Sequence, residues 1–512
     1  MNRLVVVSNR VPLPSGGSQA GGLAVALDGL MERRGGVWVG WSGNVAERGD
    51  TLHVERARSV EYATFDLTPE EHEGYYNRFA NGVLWPLLHT LPELMSYDRR
   101  DGRTYRLVNE RIAEMLLPML QPTDLVWIHD YHLLPLAAAL RARQSHNAIG
   151  FFLHIPFATA DVIAAAPEMA SLVRDMLFAD LIGFQTESDL RNFATAAQMM
   201  AGAIRMPGNA LQFGNRRVRL GVFPVEIDAH AFSRTAGEMA GGVEADQLQR
   251  SLEGQALILG IDRLDPTKGL PQRFAGVRRL FEKHTQWQRR ATVLQIAATS
   301  RKDVQSYQDL RETLDGQAGA LNADLGMPDW SPLRFITRGA SRDVVAGYMR
   351  VARVGLVTPV RDGMNLVAKE FVAAQDPADP GVLVLSRFAG AARQLDAALL
   401  INPHDADAIA SALHAALAMG LSERQDRWQA LWTQLEDRTP YRWGVDFVGA
   451  LVRAAGVPPV GERGRTEEVT ELAADEALPP ERIQLLDHIG TERDPLRIGS
   501  LRSSETTRRQ LN

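Results

Sequence analysis

Cysteine is absent from all 512 residues. That excludes disulfides, thiolate nucleophiles and cysteine-ligated zinc, and nothing in it argues for secretion. A dominant charge is also lacking: 56 Lys and Arg stand against 62 Asp and Glu, a net of −6. Without a basic excess there is no general polyanion signature, so nucleic acid is not an expected partner. The N-terminus, "MNRLVVVSNRVPLP", has too short an apolar run for a signal peptide or a membrane span. A cytoplasmic protein with no membrane partner is the expectation. No short-period repeat is visible, which argues against a solenoid.

What is present is a recurring theme of apolar runs followed by polar turns. "RLVVVSNR" (3–10), "LVWIHDYH" (125–132), "IGFFLHIPF" (149–157) and "LIGFQTES" (181–188) form one series. A second comprises "ALILGIDRLDPTKG" (256–269), "ATVLQIAATSR" (291–301), "LRFITRG" (333–339), "VGLVTPVRDG" (354–363), "GVLVLSRFAG" (381–390) and "ALLINPHD" (398–405). Apolar runs alternating with helical patterns predict parallel sheets wrapped by helices, an α/β fold. "LGVFPVEIDAHAF" (220–232) separates the two series and places a domain junction there. The expected domains are 1–228 and 229–440. Beyond Gly456, Pro, Glu and Arg dominate and aromatics are few, so 457–512 reads as a flexible tail in which "PERIQLLDHI" is one candidate helix.

Ligands of such sheets bind at the carboxyl ends of strands. The polar residues there are Arg10, Asp130, His154, Arg263, Lys268, Arg301 and Asp362. Four of these seven are basic in a chain of negative net charge, which points to an anionic ligand, most simply phosphate. The competing reading is that exposed strand ends simply carry charge.

One stretch, "TPVRDGMNLVAKEFVAAQ" (358–375), changes character halfway. Leu366, Val367, Phe371 and Val372 recur at helical spacing, behind a turn holding Asp362, Gly363 and Asn365. A helix starting near Leu366 offers free N–H groups and a positive dipole end. Gly363 permits close approach or positive φ. Asp362 suits sugar hydroxyls, and Glu370, one turn beyond Leu366, suits a ribose diol. Alternatively, Asp362 or Asn365 simply caps the helix.

These blocks, with "AGGLAVAL", "VWVGWSG", "YYNRFANGVLWPLLH", "QIAATSR" and "PGVLVLSRFAGAA", resemble the trehalose-6-phosphate synthases over roughly residues 1–455. Those are retaining glycosyltransferases of the GT-B type, with two Rossmann-like doubly wound parallel-sheet domains facing across a cleft. The resemblance implies transfer of glucose from UDP-glucose to glucose 6-phosphate, giving α,α-trehalose 6-phosphate and UDP. It implies no metal cofactor. It assigns Arg10, Arg301, Tyr76 and Trp85 to the acceptor phosphate and Asp130 to acceptor hydroxyls. On composition alone Trp85 fits core packing as well. On the donor side it assigns Gly21 and Gly22 to a loop over the sugar nucleotide, and Arg263 and Lys268 to the pyrophosphate. His154 meets the transferred glucose near its 6-hydroxyl, and Asp362 holds other hydroxyls of that glucose. The run Asn365, Leu366, Val367, Ala368, Lys369 and Glu370 meets diphosphate and ribose. Segment 441–456 is expected to be a helix crossing back to the first domain, in a homo-oligomer (dimer or tetramer).

Retention by double displacement needs a carboxylate on the β-face of the sugar, and no matched motif supplies a convincing one. Front-face substitution, with the departing phosphate oxygen taking the acceptor proton, is the implied route. The pair in "HDYH" suggests metal only weakly, because His129 and His132 point to opposite faces of an extended segment. Two departures stand out. The glycine loop carries an extra Gly16-Gly17 pair, and in "ITRGASRD" Ala340 replaces the aromatic-containing pattern expected at the base, weakening strict preference for UDP. The alternatives are a glucosylglycerol-phosphate synthase using ADP-glucose, a pseudo-sugar coupling enzyme, a catalytically silent regulatory subunit and a nucleotide-sugar epimerase. Intact Arg263, Lys268, Asp362 and Glu370 argue against the silent subunit.

Overall fold

A computed structural model describes residues 2–13, 22–49, 51–301 and 304–457. The expectations for Gly16, Gly17, Gly21 and the tail from 458 onward lie outside the described residues.

The first sheet has ten strands: β1 (Leu4–Arg10), β2 (Gly36–Val45), β3 (His53–Ala57), β4 (Val60–Leu67), β5 (Leu125–His129), β6 (Ala148–Phe152), β7 (Leu181–Phe184), β8 (Ile204–Met206), β9 (Ala210–Phe213) and β10 (Arg216–Val222). Their order is β3-β4-β2-β1-β5-β6-β7-β10-β9-β8. The middle, from β4 to β10, is parallel, and β5 and β6 are buried at every residue. Strands covered on both faces need continuous apolar runs, which is why these were visible in the sequence.

Both edges add antiparallel strands to this parallel core. β3 pairs antiparallel with β4, and β8, β9 and β10 form an antiparallel meander. The cause is local. Arg58, with φ 53°, turns β3 into β4, and Gly214, with φ 56°, turns β9 into β10. Connections this short can only reverse the chain.

The second sheet is wholly parallel: β11 (Ala256–Arg263), β12 (Ala291–Ala298), β13 (Leu333–Ile336), β14 (Val354–Val357), β15 (Val382–Ser386) and β16 (Leu399–Ile401), in the order β13-β12-β11-β14-β15-β16. Strand order reverses between β1 and β5 in the first sheet and between β11 and β14 in the second. Those switch points open a crevice at the strands' carboxyl ends. Arg10 ends β1, Asp130 follows β5, Arg263 ends β11, and Asp362 lies beyond β14.

The helix Pro440–Ala455 lies on the first sheet. Thr439 caps it by accepting from Arg442 N–H. Phe447 stacks on Trp127 with centroids 4.4 Å apart, and Trp443 Nε1 donates to Phe223 O at 3.0 Å. A Cβ at Gly150 or Gly183 would sit 2.7 Å from the Phe447 ring, so glycine in β6 and β7 lets the helix approach. No helix among the described residues is long and apolar enough to cross a membrane.

Candidate active site

The turn ahead of helix Leu366–Ala374 is held from behind by segment 386–391. Asp362 N–H donates to Phe388 O (3.2 Å), Gly390 N–H to Asp362 O (3.1 Å) and Ala391 N–H to Met364 O (2.7 Å). Gly363 is fixed by close approach: a Cβ there would lie 2.2 Å from His154 O. That contact brings the Asp362 turn against the end of β6. Asn365, at φ 78°, is the helix cap, its Oδ1 accepting from Ala368 N–H at 3.2 Å. Asp362 is therefore free for other work. Its Oδ2 accepts from Lys268 Nζ at 2.5 Å and from Asn365 Nδ2 at 3.0 Å. Burial pushes the Asp362 carboxyl up, but the Lys268 ammonium outweighs it and holds the group below the usual aspartate value.

Leu366 and Val367 open the helix, where N–H groups have no intrahelical acceptor. Ala368 is buried, with its N–H engaged by the cap. Lys369 departs from expectation. Its side chain is fully buried and donates to Glu226 Oε2 (2.5 Å) and Val225 O (2.8 Å), in the segment joining the two sheets. Burial lowers its pKa to about 8 despite Glu226. Lys369 thus pins the helix to the interdomain link and offers no ammonium to the crevice. Glu370 accepts from Arg342 Nη2 at 3.0 Å, while burial raises its pKa. Ala340 is exposed between β13 and the helix Arg342–Val351.

A second cluster surrounds Arg301, which follows β12 at φ 48°. Its guanidinium lies 4.0 Å from the Trp85 ring centroid, donates to Tyr131 OH at 3.1 Å and to Tyr307 OH, and sits 3.7 Å from Asp265. Burial opposes the charge, but Tyr131, Tyr307 and Asp265 keep the Arg301 pKa above its ordinary value. Asp265 accepts from Tyr307 OH (3.0 Å) and lies 3.7 Å from Arg263, itself half exposed. Beside this cluster, Arg10 faces the Trp41 ring at 5.3 Å, Trp41 packs on Tyr76 at 5.2 Å, and Tyr76 stacks on His132 at 5.8 Å. Tyr76 lies within a widened helix, His72–Leu84, and Trp85 caps it, its N–H reaching back to Ala80 O. Wide turns of this kind recur at functional sites.

Asp130 and His154 complete the crevice. Asp130 adopts φ 76° directly after β5 and its Oδ1 accepts from His154 N–H at 3.2 Å. Burial raises its pKa to about 6, against the pull of the Tyr131 and His154 N–H groups, Arg301 and Arg263. His154 Nε2 lies 3.0 Å from His129 Nδ1, and burial holds the His154 pKa down at about 3. His129 and His132 diverge, one toward His154 and the other toward Tyr76. Among the described residues no cluster of three or more His, Asp or Glu side chains is arranged to hold a metal ion.

This geometry can grip two anions. Glycosyltransferase family 20 matches residues 3–453. The chain belongs to that family. Among its family 20 relatives, the trehalose-6-phosphate synthase of Sinorhizobium fredii is 44% identical over 89% of this chain and 99% of its own length. A UDP-forming α,α-trehalose-phosphate synthase from Burkholderia xenovorans, in complex with glucose-6-phosphate, superposes with TM-score 0.85 at 42% identity, covering 88% of this chain and 100% of that one. An E. coli structure bound with UDP-2-fluoro glucose gives TM-score 0.84 at 42% identity, covering 88% and 99%. The two-sheet GT-B architecture is common to them.

Several residues packed around this candidate site went unmarked in the sequence. Tyr131 and Asp265 lay inside quoted motifs but carried no strand-end signal. Trp41 sat in "VWVGWSG", and Tyr307 and Arg342 lie on helices where nothing distinguishes them from surface residues.

Proposed function

We propose that the protein transfers glucose from UDP-glucose to the anomeric hydroxyl of glucose 6-phosphate with retention, yielding α,α-trehalose 6-phosphate and UDP. The observation that carries this is the convergence at the two switch points. Asp130 and His154 close one side, and the Asp130 carboxyl feels both Arg301 and Arg263 from the other. A family whose members are solved with glucose-6-phosphate and with UDP-2-fluoro glucose fits that pairing of anion grips.

In this reading residues 1–228 supply the acceptor domain and 229–440 the nucleotide-sugar domain. Arg301 and Arg10 take the acceptor phosphate, Tyr76 and Trp85 wall it, and Asp130 accepts from acceptor hydroxyls. Arg263 and Lys268 neutralise the leaving diphosphate, with the Leu366 and Val367 N–H groups adding fixed dipoles. Asp362 and His154 hold the transferred glucose, and Glu370, steadied by Arg342, meets the ribose. The acceptor oxygen attacks C1 from the face that UDP leaves. The C1–O bond to phosphate breaks as the new one forms, and the acceptor proton passes to the departing phosphate oxygen. The protein contributes position and electrostatics. We infer further a cytoplasmic homo-oligomer, which cell fractionation and light scattering test.

The decisive assay is UDP release with UDP-glucose, with and without glucose 6-phosphate, alongside detection of the disaccharide phosphate. Release without acceptor points to an epimerase instead. Because Ala340 is exposed and carries no ring, parallel arms with ADP-glucose and GDP-glucose, and with glycerol 3-phosphate as acceptor, test the sister transferase.

A further inference from the structure

His129 ends β5 fully buried, walled by Trp127 at 4.5 Å and by Phe152 and Trp443, each at 6.4 Å between centroids. Among the described residues its ring makes one polar contact, Nδ1 to His154 Nε2, at 3.0 Å. Its Nε2 is buried and has no hydrogen-bond partner among the described residues. Burial lowers both imidazoles' pKa, and His154 further opposes charging of His129. The pair is therefore two neutral rings joined by one N–H···N hydrogen bond.

Two arrangements satisfy that bond. In one, His154 Nε2–H donates to His129 Nδ1, so His129 carries its proton on Nε2 as a buried N–H with no acceptor. In the other, His129 Nδ1–H donates to His154 Nε2. The buried edge of His129 is then a bare lone pair, and His154 carries its proton on Nδ1. Buried N–H groups without acceptors are rarer and costlier than under-used acceptors. The hydrogen bond at one ring nitrogen dictates which form the other nitrogen takes. His154 is only partly buried, and its Nε2 edge is occupied, so Nδ1 is the edge left for a ligand.

We propose that His129 is a positioning residue that locks His154 as a neutral Nδ1–H donor toward a hydroxyl oxygen of the transferred hexose. The inference rests on the reading that His154 meets that sugar. In chemical terms His129 converts a side chain that could accept or donate into one that only donates. A hexose oxygen then gains a fixed N–H, and the sugar is held without a positive charge beside the anomeric carbon, where an oxocarbenium-like state would be repelled.

The test uses the full chain with 15N-labelled histidine. Two-bond nitrogen–proton correlations should report His154 protonated on Nδ1 in the unsubstituted protein, with His154→Ala supplying the assignment. His129→Phe keeps the ring volume and removes the donor, and should return His154 to the Nε2–H form. His129→Asn places an amide N–H near the Nδ1 position and should restore Nδ1–H on His154. In kinetics, His129→Phe should lower kcat with UDP-glucose about tenfold and leave the KM for glucose 6-phosphate unchanged, with His129→Asn recovering most of the loss. With UDP-6-deoxyglucose the variant and the parent should be alike. An Nε2–H signal for His154 in the unsubstituted protein overturns the proposal, even if His129→Phe fails to fold. Correct tautomers with no kinetic difference would keep His129's effect on His154 and instead sink the placement of His154 at the sugar.

Discussion

Lys268 Nζ donates to Asp362 Oδ2 at 2.5 Å, joining the turn after β11 to the turn after β14 across the switch point of the second sheet. The pair is largely buried, with side chains 14% and 15% exposed. In the proposed reaction the ammonium must serve the leaving diphosphate while keeping Asp362 ionised for sugar hydroxyls. Lys268→Ala removes both effects. It should reduce kcat by about 10²–10³, the scale expected when one preorganised electrostatic donor is lost. Steady-state kinetics with circular dichroism as a fold check measures this.

Arg301 should behave differently. Its guanidinium is fixed by Tyr131, Tyr307, Asp265 and the Trp85 face, and in the proposed reading it takes the acceptor phosphate. Arg301→Ala should raise the KM for glucose 6-phosphate about ten- to a hundredfold, from the loss of charge-assisted hydrogen bonds. UDP affinity, measured by calorimetry, should hardly move. Arg301→Lys should not restore the acceptor KM, because an ammonium cannot reproduce the planar fork. Equal weakening of UDP would remove Arg301 from the acceptor site.

Arg263 and Lys268 are proposed to supply the charge that a divalent ion provides in other transferases. Activity should then survive exhaustive EDTA treatment. Loss of turnover that returns on adding one divalent ion would reverse this.

How much of this was legible follows from where each signal sits. Strands covered on both faces leave continuous apolar runs, so the parallel cores of both sheets could be read, and with them the charged residues at their ends. The antiparallel edges could not. β3 is the polar segment "HVERA" and β8 is exposed at all three residues, so neither carries the apolar signature. Helix geometry explains the surprise at Lys369. It is adjacent to Glu370 in sequence, but neighbouring helical residues point about 100° apart. Glu370 reaches Arg342 while Lys369 turns inward to Glu226. Arg342 was invisible because its partner Glu370 is distant in sequence, as Asp265 is from Tyr307, and contacts of that kind leave no local pattern.

Asp130 offers a test by pH. Its folded pKa of about 6 lies above the ordinary 3.8, because burial disfavours the carboxylate. A raised acid gives its full contribution to stability below the unfolded value and loses it as pH rises through the folded one. Asp130→Asn removes that loss. Relative to the parent it should gain about 1–3 kcal/mol in urea unfolding on going from pH 4 to pH 7.5, while losing activity. A difference that does not change with pH would count against this.

The last prediction separates the helix Pro440–Ala455 from the residues beyond it. Phe447 fills the space left by Gly150 and Gly183 and stacks on Trp127, and Trp443 ties the helix to Phe223. Gly456, at φ 63°, ends the helix in a conformation that favours glycine. The family match itself stops at residue 453. A chain ending at Val457 should therefore fold and keep its kcat. Phe447→Ala, in contrast, should cost about 3–5 kcal/mol, the usual penalty for emptying a buried aromatic site. Because that helix also walls the His129–His154 pair through Trp443, the variant should lose turnover before it loses structure as temperature rises. Light scattering on the truncated chain adds a third readout. A fall in mass with kcat intact would assign residues after 457 to assembly, and loss of turnover in a folded truncated chain would show that they serve the chemistry after all.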